Sequence, residues 1–369
     1  MKYLRIFTAL IINSTSIQGQ FSTVLIDSLT NEPIIHANLF FEGTNMGTIS
    51  NSEGYLRFEN NFGSMNEVMI SHLGYESKRI NTDNIKDTTF LAPITYKLEE
   101  VVVTNYYNTL LRAVAKFSIA DKDQLFHRMY YKQYLKQNEI YVDYLEAILI
   151  ETNNSKKDIY VESLRSKQNE TEKYIDFEHL KIKTLINYIT TSKLIASKTI
   201  NVNFVDESIA EFQIEYFGKN ILVTIDTKKN RVLELSYNGI DNQMPKPYGK
   251  SQKVWAKGKI RTFQPYIHGQ NFKVKYDYMN EKPFIKFLKF EYKGTIENQD
   301  LTLTYFSTQI LQSLGFTDKM IPAKKVKIKR GNNIKSINPK RLTPLKWDRT
   351  NKIYPTKSEL VFLEKLKWE

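Results

Sequence analysis

From Phe21 onward, turn-forming residues cut the chain into short β-prone runs, and this punctuation limits the fold more than any other feature. FSTVLID is followed by the turn SLTNEP, then by IIHANLFFEG, TNMGTISNSEGYLRF and EVMISHLGY. Runs of this length between Gly, Asn, Ser and Pro clusters predict antiparallel strands packed as a seven-stranded sandwich. Along the second run Ile35, Ala37, Leu39 and Phe41 alternate with His36, Asn38 and Phe40. One face of that strand is therefore expected to be buried and the other shown.

The same punctuation continues through the rest of the chain. HRMYYKQYLK and EIYVDYLEAILIE flank a turn at Gln137-Asn138, and further runs cover 202 to 217, 220 to 226, 231 to 237, 252 to 263, 271 to 278, 284 to 293 and 300 to 306. Phe217 to Asn220 and Asp226 to Asn230 supply hairpin turns. About three helices interrupt this pattern. Residues 106 to 118 place Leu110, Leu111, Val114 and Phe117 on one stripe, and residues 177 to 195 carry a second such stripe. A third helix over 357 to 368 opens with Thr356 and Glu359 in capping-box spacing, with Leu360, Leu363 and Lys367 on one face. The expected architecture is mainly β: a seven-stranded antiparallel β-sandwich, then an α+β domain built on a curved antiparallel sheet.

Residues 1 to 19 carry Lys2 and Arg5, the apolar run Ile6 to Ile12, and a small, polar exit ending in Gly19. This reads as a secretory signal peptide, because the apolar stretch is too short to span a bilayer. The sequence lacks cysteine. That excludes disulfide scaffolds, thiolate zinc sites, cysteine nucleophiles and a lipid-modified N-terminal cysteine, so an exported chain of 369 residues must be held by core packing alone. The expected location is the periplasm or the outer-membrane surface, not as a lipoprotein and with no transmembrane segment after signal cleavage.

Asp27, Pro33, Ala37, Gly43-Thr44, Gly47-Thr48, Asn51, Gly54, Ser71 and Gly74-Tyr75 follow in an order that resembles the carboxypeptidase-regulatory-like domain. That family is a transthyretin-like β-sandwich common in exported proteins of Bacteroidota. The resemblance covers residues 21 to 98 and implies a docking or positioning module without chemistry of its own. Thr23 stands where the family usually has glycine, and Leu56 where an aromatic is usual. Leu98 to Thr104 resembles the Val-rich segment that follows this module in TonB-dependent receptors, and residues 99 to 105 are read as a linker strand. Residues 220 to 239 are similar to the hairpins of LolA-like periplasmic half-barrels. The expected domains are a signal peptide (1–19), the sandwich (20–98), the linker (99–105) and a basic domain (106–369).

Charge divides the chain. Residues 21 to 100 hold 5 Lys plus Arg against 11 Asp plus Glu, in a protein whose net charge is +13. The basic surplus therefore lies in the second domain, where residues 322 to 349 hold ten Lys or Arg and one acid, Asp348. Lys325, Lys327 and Lys329 alternate with Val326 and Ile328, so a strand here shows lysines on one face, and Arg330, Lys335, Lys340 and Arg341 extend the field. Two readings stand side by side: an edge strand protected from sheet pairing by its lysines, and a contact face for anionic lipid or glycan. Nucleic acid is not expected as a partner of an exported chain.

No zinc-carboxypeptidase pattern, GxSxG, HExxH, P-loop or EF-hand loop occurs, and His36, His72, His127, His179 and His268 are each isolated in sequence. No catalytic residue, metal ligand or cofactor site is assigned. Tyr130, Tyr131, Tyr134, Tyr141 and Tyr144 read either as core with buried hydroxyls or as a platform for a sugar ring or lipid headgroup. The expected function is an exported envelope binding or scaffolding protein without catalytic activity. The alternatives are a hydrolase of envelope polymers with a site in 106–369, for which a spatial grouping of His127, His179 and Asp206 is one arrangement, and a half-barrel carrier of an apolar ligand.

Overall fold

The computed structural model describes residues 19–41, 47–60, 67–94, 106–118, 125–152, 158–169, 198–205, 208–216, 219–240, 246–247, 252–256, 259–298, 301–317, 326–327, 342 and 353–365. The expected signal peptide, the linker over 99–105 and the helix over 177–195 lie outside them. The chain divides into two compact units, Met1–Ile94 with Trp347–Thr356, and Thr95–Lys346 with Lys357–Glu369.

The first unit contains β1 (Gly19–Asp27), β2 (Asn38–Phe41), β3 (Gly47–Ile49), β4 (Tyr55–Asn60), β5 (Glu67–Ser71), β6 (Lys78–Asn81) and β7 (Thr88–Leu91). The seven strands split into a three-stranded sheet, β4-β1-β7, and a four-stranded sheet, β3-β2-β5-β6. Leu25, Leu39, Phe41, Leu56, Phe58, Val68, Ile70 and Leu91 from both sheets form one core. The sandwich is not wholly antiparallel: β1 runs parallel to β7, Val24 to Asp27 lying beside Thr88 to Leu91. The alternation expected from Ile35 also fails at its first residue. His36 takes a left-handed φ of 58°, which resets the phase, so Ile34 is buried and Ile35 faces outward.

Thr23 and Leu56, the two departures from the family pattern, are cross-strand partners on β1 and β4. Both are buried, and the Thr23 hydroxyl donates to Thr89 Oγ1 at 3.1 Å. A side chain larger than glycine thus faces one smaller than an aromatic, which holds the local volume nearly constant. Asp27 and Tyr75 also meet. Asp27 Oδ1 accepts from the backbone N–H groups of Leu29 (2.7 Å) and Thr30 (3.1 Å), and Oδ2 accepts from Tyr75 Oη at 2.7 Å. One carboxylate therefore shapes the turn after β1 and ties it to the segment between β5 and β6.

The second unit is one 13-stranded sheet. Its strands are β8 (Phe126–Gln137), β9 (Ile140–Thr152), β10 (Ile159–Gln168), β11 (Lys198–Phe204), β12 (Ile209–Tyr216), β13 (Lys219–Asp226), β14 (Arg231–Asn238), β15 (Lys246–Pro247), β16 (Gln252–Ala256), β17 (Lys259–Met279), β18 (Lys282–Asn298), β19 (Leu301–Thr317) and β20 (Val326–Lys327). The order is β11-β12-β13-β14-β17-β18-β19-β8-β9-β10-β20, with β15 and β16 on β17. Successive hairpins explain most of it. Asn138 and Glu139 both take left-handed φ (46° and 65°), as a two-residue type I′ turn requires, and Asn280 and Glu281 repeat this between β17 and β18. At Gly294 in β18 a Cβ would lie 2.1 Å from the hydroxyl of Tyr305, its partner on β19. Glycine there lets the tyrosine ring cross the strand and donate to Tyr266 O at 2.9 Å.

Among the described residues two α-helices form, where about three were expected. The first, α1 (Tyr106–Ala115), buries Leu110, Ala113 and Val114 in the core of the large sheet, the i, i+3, i+4 spacing of one helical face. Phe117 just beyond it packs edge-on against Tyr276, with ring centroids 5.0 Å apart. The second, α2 (Lys357–Lys365), buries Glu359 and Phe362 while Val361 is exposed. Of the expected Leu360-Leu363-Lys367 stripe, Leu363 packs partly buried beside Phe362, and Lys367 lies outside the described residues.

The Tyr75 hydroxyl and the two backbone donors hold the Asp27 carboxyl below its usual 3.8. A depressed folded-state value stabilises the sandwich above the ordinary carboxylate range and is lost as pH falls through the lowered value. Tyr75→Phe is expected to cost thermal stability at pH 7 and little at pH 2, read from melting of the first unit across that range. An equal loss at both pH values would show that the hydroxyl does not act through the carboxylate.

Candidate functional site

Of the seven basic residues expected on an anion-binding face, Lys327 is among the described residues. Lys325, Lys329, Arg330, Lys335, Lys340 and Arg341 lie outside them. Lys327 sits on β20, the last strand on one side of the large sheet, opposite Tyr160 of β10. Its side chain is 46% exposed, and its Nζ lies 2.6 Å from Asp158 Oδ2. That carboxylate raises the ammonium above its usual value of 10.5, so Lys327 stays charged at any physiological pH.

The tyrosine stripe divides between the faces of the sheet, as period two dictates. Tyr131 joins the apolar core, where its hydroxyl donates to Gln133 Oε1 and accepts from Gln309 Nε2, both at 2.7 Å. Around it Leu145, Ala147, Phe212, Val223, Val274 and Leu288 are fully buried in one continuous cluster. Tyr130, Tyr134 and Tyr144 stand on the opposite face with Lys132 and Glu146. There Lys132 Nζ meets Glu359 Oε2 of α2 at 2.7 Å, with both side chains almost fully buried, and lies 5.8 and 5.5 Å from the ring centroids of Tyr134 and Tyr144. Glu146 is bound by Arg165 at 2.5 Å and by the hydroxyls of Tyr130 and Tyr144. Burial, then the Glu146 charge, pushes Tyr130 far above the usual tyrosine value. Lys167 donates to the backbone carbonyl of Leu363, and Phe362 packs on Tyr141 with centroids 5.6 Å apart. The core reading of the tyrosines thus describes this face, with the hydroxyls of Tyr130 and Tyr144 buried and bonded to Glu146.

A third cluster was not visible in the sequence. His127 Nε2 lies 2.8 Å from Ser313 Oγ, and its Nδ1 lies 3.8 Å from Glu151 Oε2. The imidazole stacks on Phe316 (4.5 Å between centroids, 11° between planes) and meets Phe284 edge-on at 5.4 Å. His179 and Asp206, the partners considered for His127, lie outside the described residues. Ser313 is 186 residues from His127 in the chain, and no local motif marks it. Elsewhere His268 Nε2 pairs with Thr295 Oγ1 at 2.9 Å. Among the described residues no group of three or more His, Asp or Glu side chains is placed to hold a metal ion, and no helix is long and apolar enough to cross a membrane.

Residues 21–103 match the family model of the CarboxypepD_reg-like domain. No curated protein matches the chain. Similar solved structures include lipovitellin (10% identity, TM-score 0.26, covering 55% of this chain and 26% of that one). Two others are a LolA superfamily protein from Nitrosomonas europaea (6%, 0.21, covering 60% and 97%) and a DUF1329 family protein from Desulfovibrio piger (7%, 0.23, covering 57% and 94%). The chain spans about a quarter of the lipovitellin chain. Scores at this level carry no argument about fold or ligand.

The ion pair between Lys132 and Glu359 dictates how α2 is held. Removing one partner of a buried pair costs about 3–5 kcal/mol, whereas replacing both with apolar groups is near neutral. Glu359→Gln or Lys132→Met alone should therefore accelerate amide exchange in α2 and lower the urea midpoint, and Lys132→Met combined with Glu359→Leu should restore most of the loss. Single variants as stable as the unsubstituted chain would remove the pair from the account of α2.

Proposed function

We propose that this is an exported protein that works by binding at the cell envelope. In this reading the regulatory-like module at residues 21–103 docks to a protein partner, and the basic domain faces anionic envelope material, either lipid headgroups or acidic glycan. The observation that carries the reading is the position of Lys327 on the last strand of the sheet. Its half-exposed side chain, paired with Asp158, belongs to a stretch of sequence, residues 322 to 349, that holds ten Lys or Arg. The acidic balance of residues 21–100 supports a division of labour, since a domain with 11 acids against 5 bases has no attraction for the same anionic surface. The module contributes position rather than chemistry, which agrees with the family resemblance it carries.

Each basic residue near an anionic membrane contributes about 1 kcal/mol. Replacing Lys325, Lys327 and Lys329 with Gln should then weaken binding to vesicles containing anionic lipid by about 100-fold, and added salt should weaken the unsubstituted protein in the same direction. A variant changed only at Lys325 and Lys329 leaves the contact with Asp158 in place and should show about two thirds of the loss in free energy. Unchanged binding to vesicles and to an acidic polysaccharide would overturn the basic-face reading.

A further inference from the structure

The geometry points to a nucleophilic-serine site at one end of the large sheet, with Ser313 as nucleophile, His127 as general base and Glu151 as the residue that positions the imidazole. The substrate class is an ester of an apolar acyl group. The inference is independent of the envelope-binding reading and survives its failure.

Strand register builds the cluster. His127 on β8 lies beside Glu151 on β9 and beside Phe316 on β19, so the three side chains share one face of the sheet. A bulge between Ser313 and Gly315 adds one residue to β19. Gly315 takes a φ of 95° there, a conformation glycine adopts without strain. The bulge brings Ser313, the partner of Met129, within 2.8 Å of the imidazole.

The atoms match the roles that acyl transfer requires. The hydroxyl is on Nε2 and the carboxylate is on the Nδ1 side, the order in which a base takes a proton from one side and is oriented from the other. Glu151 Oε2 stands 3.8 Å from Nδ1, longer than a hydrogen bond, and such orienting contacts are often long in the absence of substrate. The Gly315 N–H donates to Ser313 Oγ at 3.2 Å, which helps to hold the hydroxyl at the bulge beside the imidazole. Phe284 and Phe316 stand edge to face at 4.9 Å, half-buried beside the imidazole, and offer an apolar wall to an acyl chain.

The chemistry balances without another cofactor. Ser313 Oγ bonds to the ester carbonyl carbon as its proton passes to His127 Nε2. The carbon–alkoxy bond then breaks, and the departing alcohol takes that proton. Water attacks the acyl-serine by the same route, giving a carboxylic acid and the free serine.

The test uses the full-length chain, a fluorophosphonate probe and p-nitrophenyl butyrate. One probe per chain is expected, on the peptide containing Ser313, by mass spectrometry of the unsubstituted protein. Ser313→Ala should abolish labelling and hydrolysis, and His127→Gln should lower the hydrolysis rate by about 100-fold or more. Glu151→Gln should lower kcat with KM nearly unchanged and shift the pH profile of kcat, which a merely structural carboxylate would not do. Folding of each variant is read from its melting curve, and the peptide assignment needs no variant. Absence of labelling in the folded unsubstituted protein, labelling on another residue, or hydrolysis that persists in Ser313→Ala would each overturn the assignment.

Discussion

Tyr141 to Ile150 form ten consecutive buried residues along β9, and the organisation of the large sheet depends on that double burial. An antiparallel strand commonly packs one face and wets the other. Here the apolar core with α1 covers one face and α2 lies over part of the other, so the polar residues that alternation places on the second face are taken out of water. A charge in that position must meet its opposite or neutralise. Lys132 therefore meets Glu359, and Arg165 meets Glu146, which also gathers two tyrosine hydroxyls. A nine-residue helix has little stability of its own, and α2 is held by this pairing together with Phe362 and the contact from Lys167.

The same rule governs the smaller unit on a lesser scale. Its core is apolar, and Asp27, the acid at its edge, is surrounded by two backbone donors and one tyrosine hydroxyl. Residues that the family resemblance groups only by order thus have a shared physical task. Thr23 and Leu56 show the complementary case, in which two departures from a pattern face each other and leave the packing intact.

Hairpins were the most legible part of the sequence. Asn138 and Asp226 to Asn230 contain residues that tolerate left-handed backbone, and the chain turns at both places, the first turn being Asn138-Glu139, one residue beyond the expected Gln137-Asn138. Strand length was less legible. The runs over 252 to 263 and 271 to 278 were separate in the sequence, yet β17 continues through Pro265 and Gly269 between them, and a bulge between Ile267 and Gly269 absorbs the irregularity. The split of the tyrosine stripe followed from period two, but what each tyrosine touches did not. Glu146, Arg165 and Glu359 are distant in sequence from Lys132 or lie on other strands, and their meeting is a consequence of register.

By itself the sequence determined a mainly β chain, an N-terminal module of regulatory-like type, the hairpin turns and the concentration of positive charge after residue 321. These are local properties, set by which residues tolerate turns, alternate along a strand or carry charge. Tertiary structure decided the parallel pairing of β1 with β7, the face of α2 that points inward, and the convergence of Ser313, His127 and Glu151. Each of these joins segments far apart in the chain, and the cross-strand register that joins them is fixed only when the sheet closes around its core.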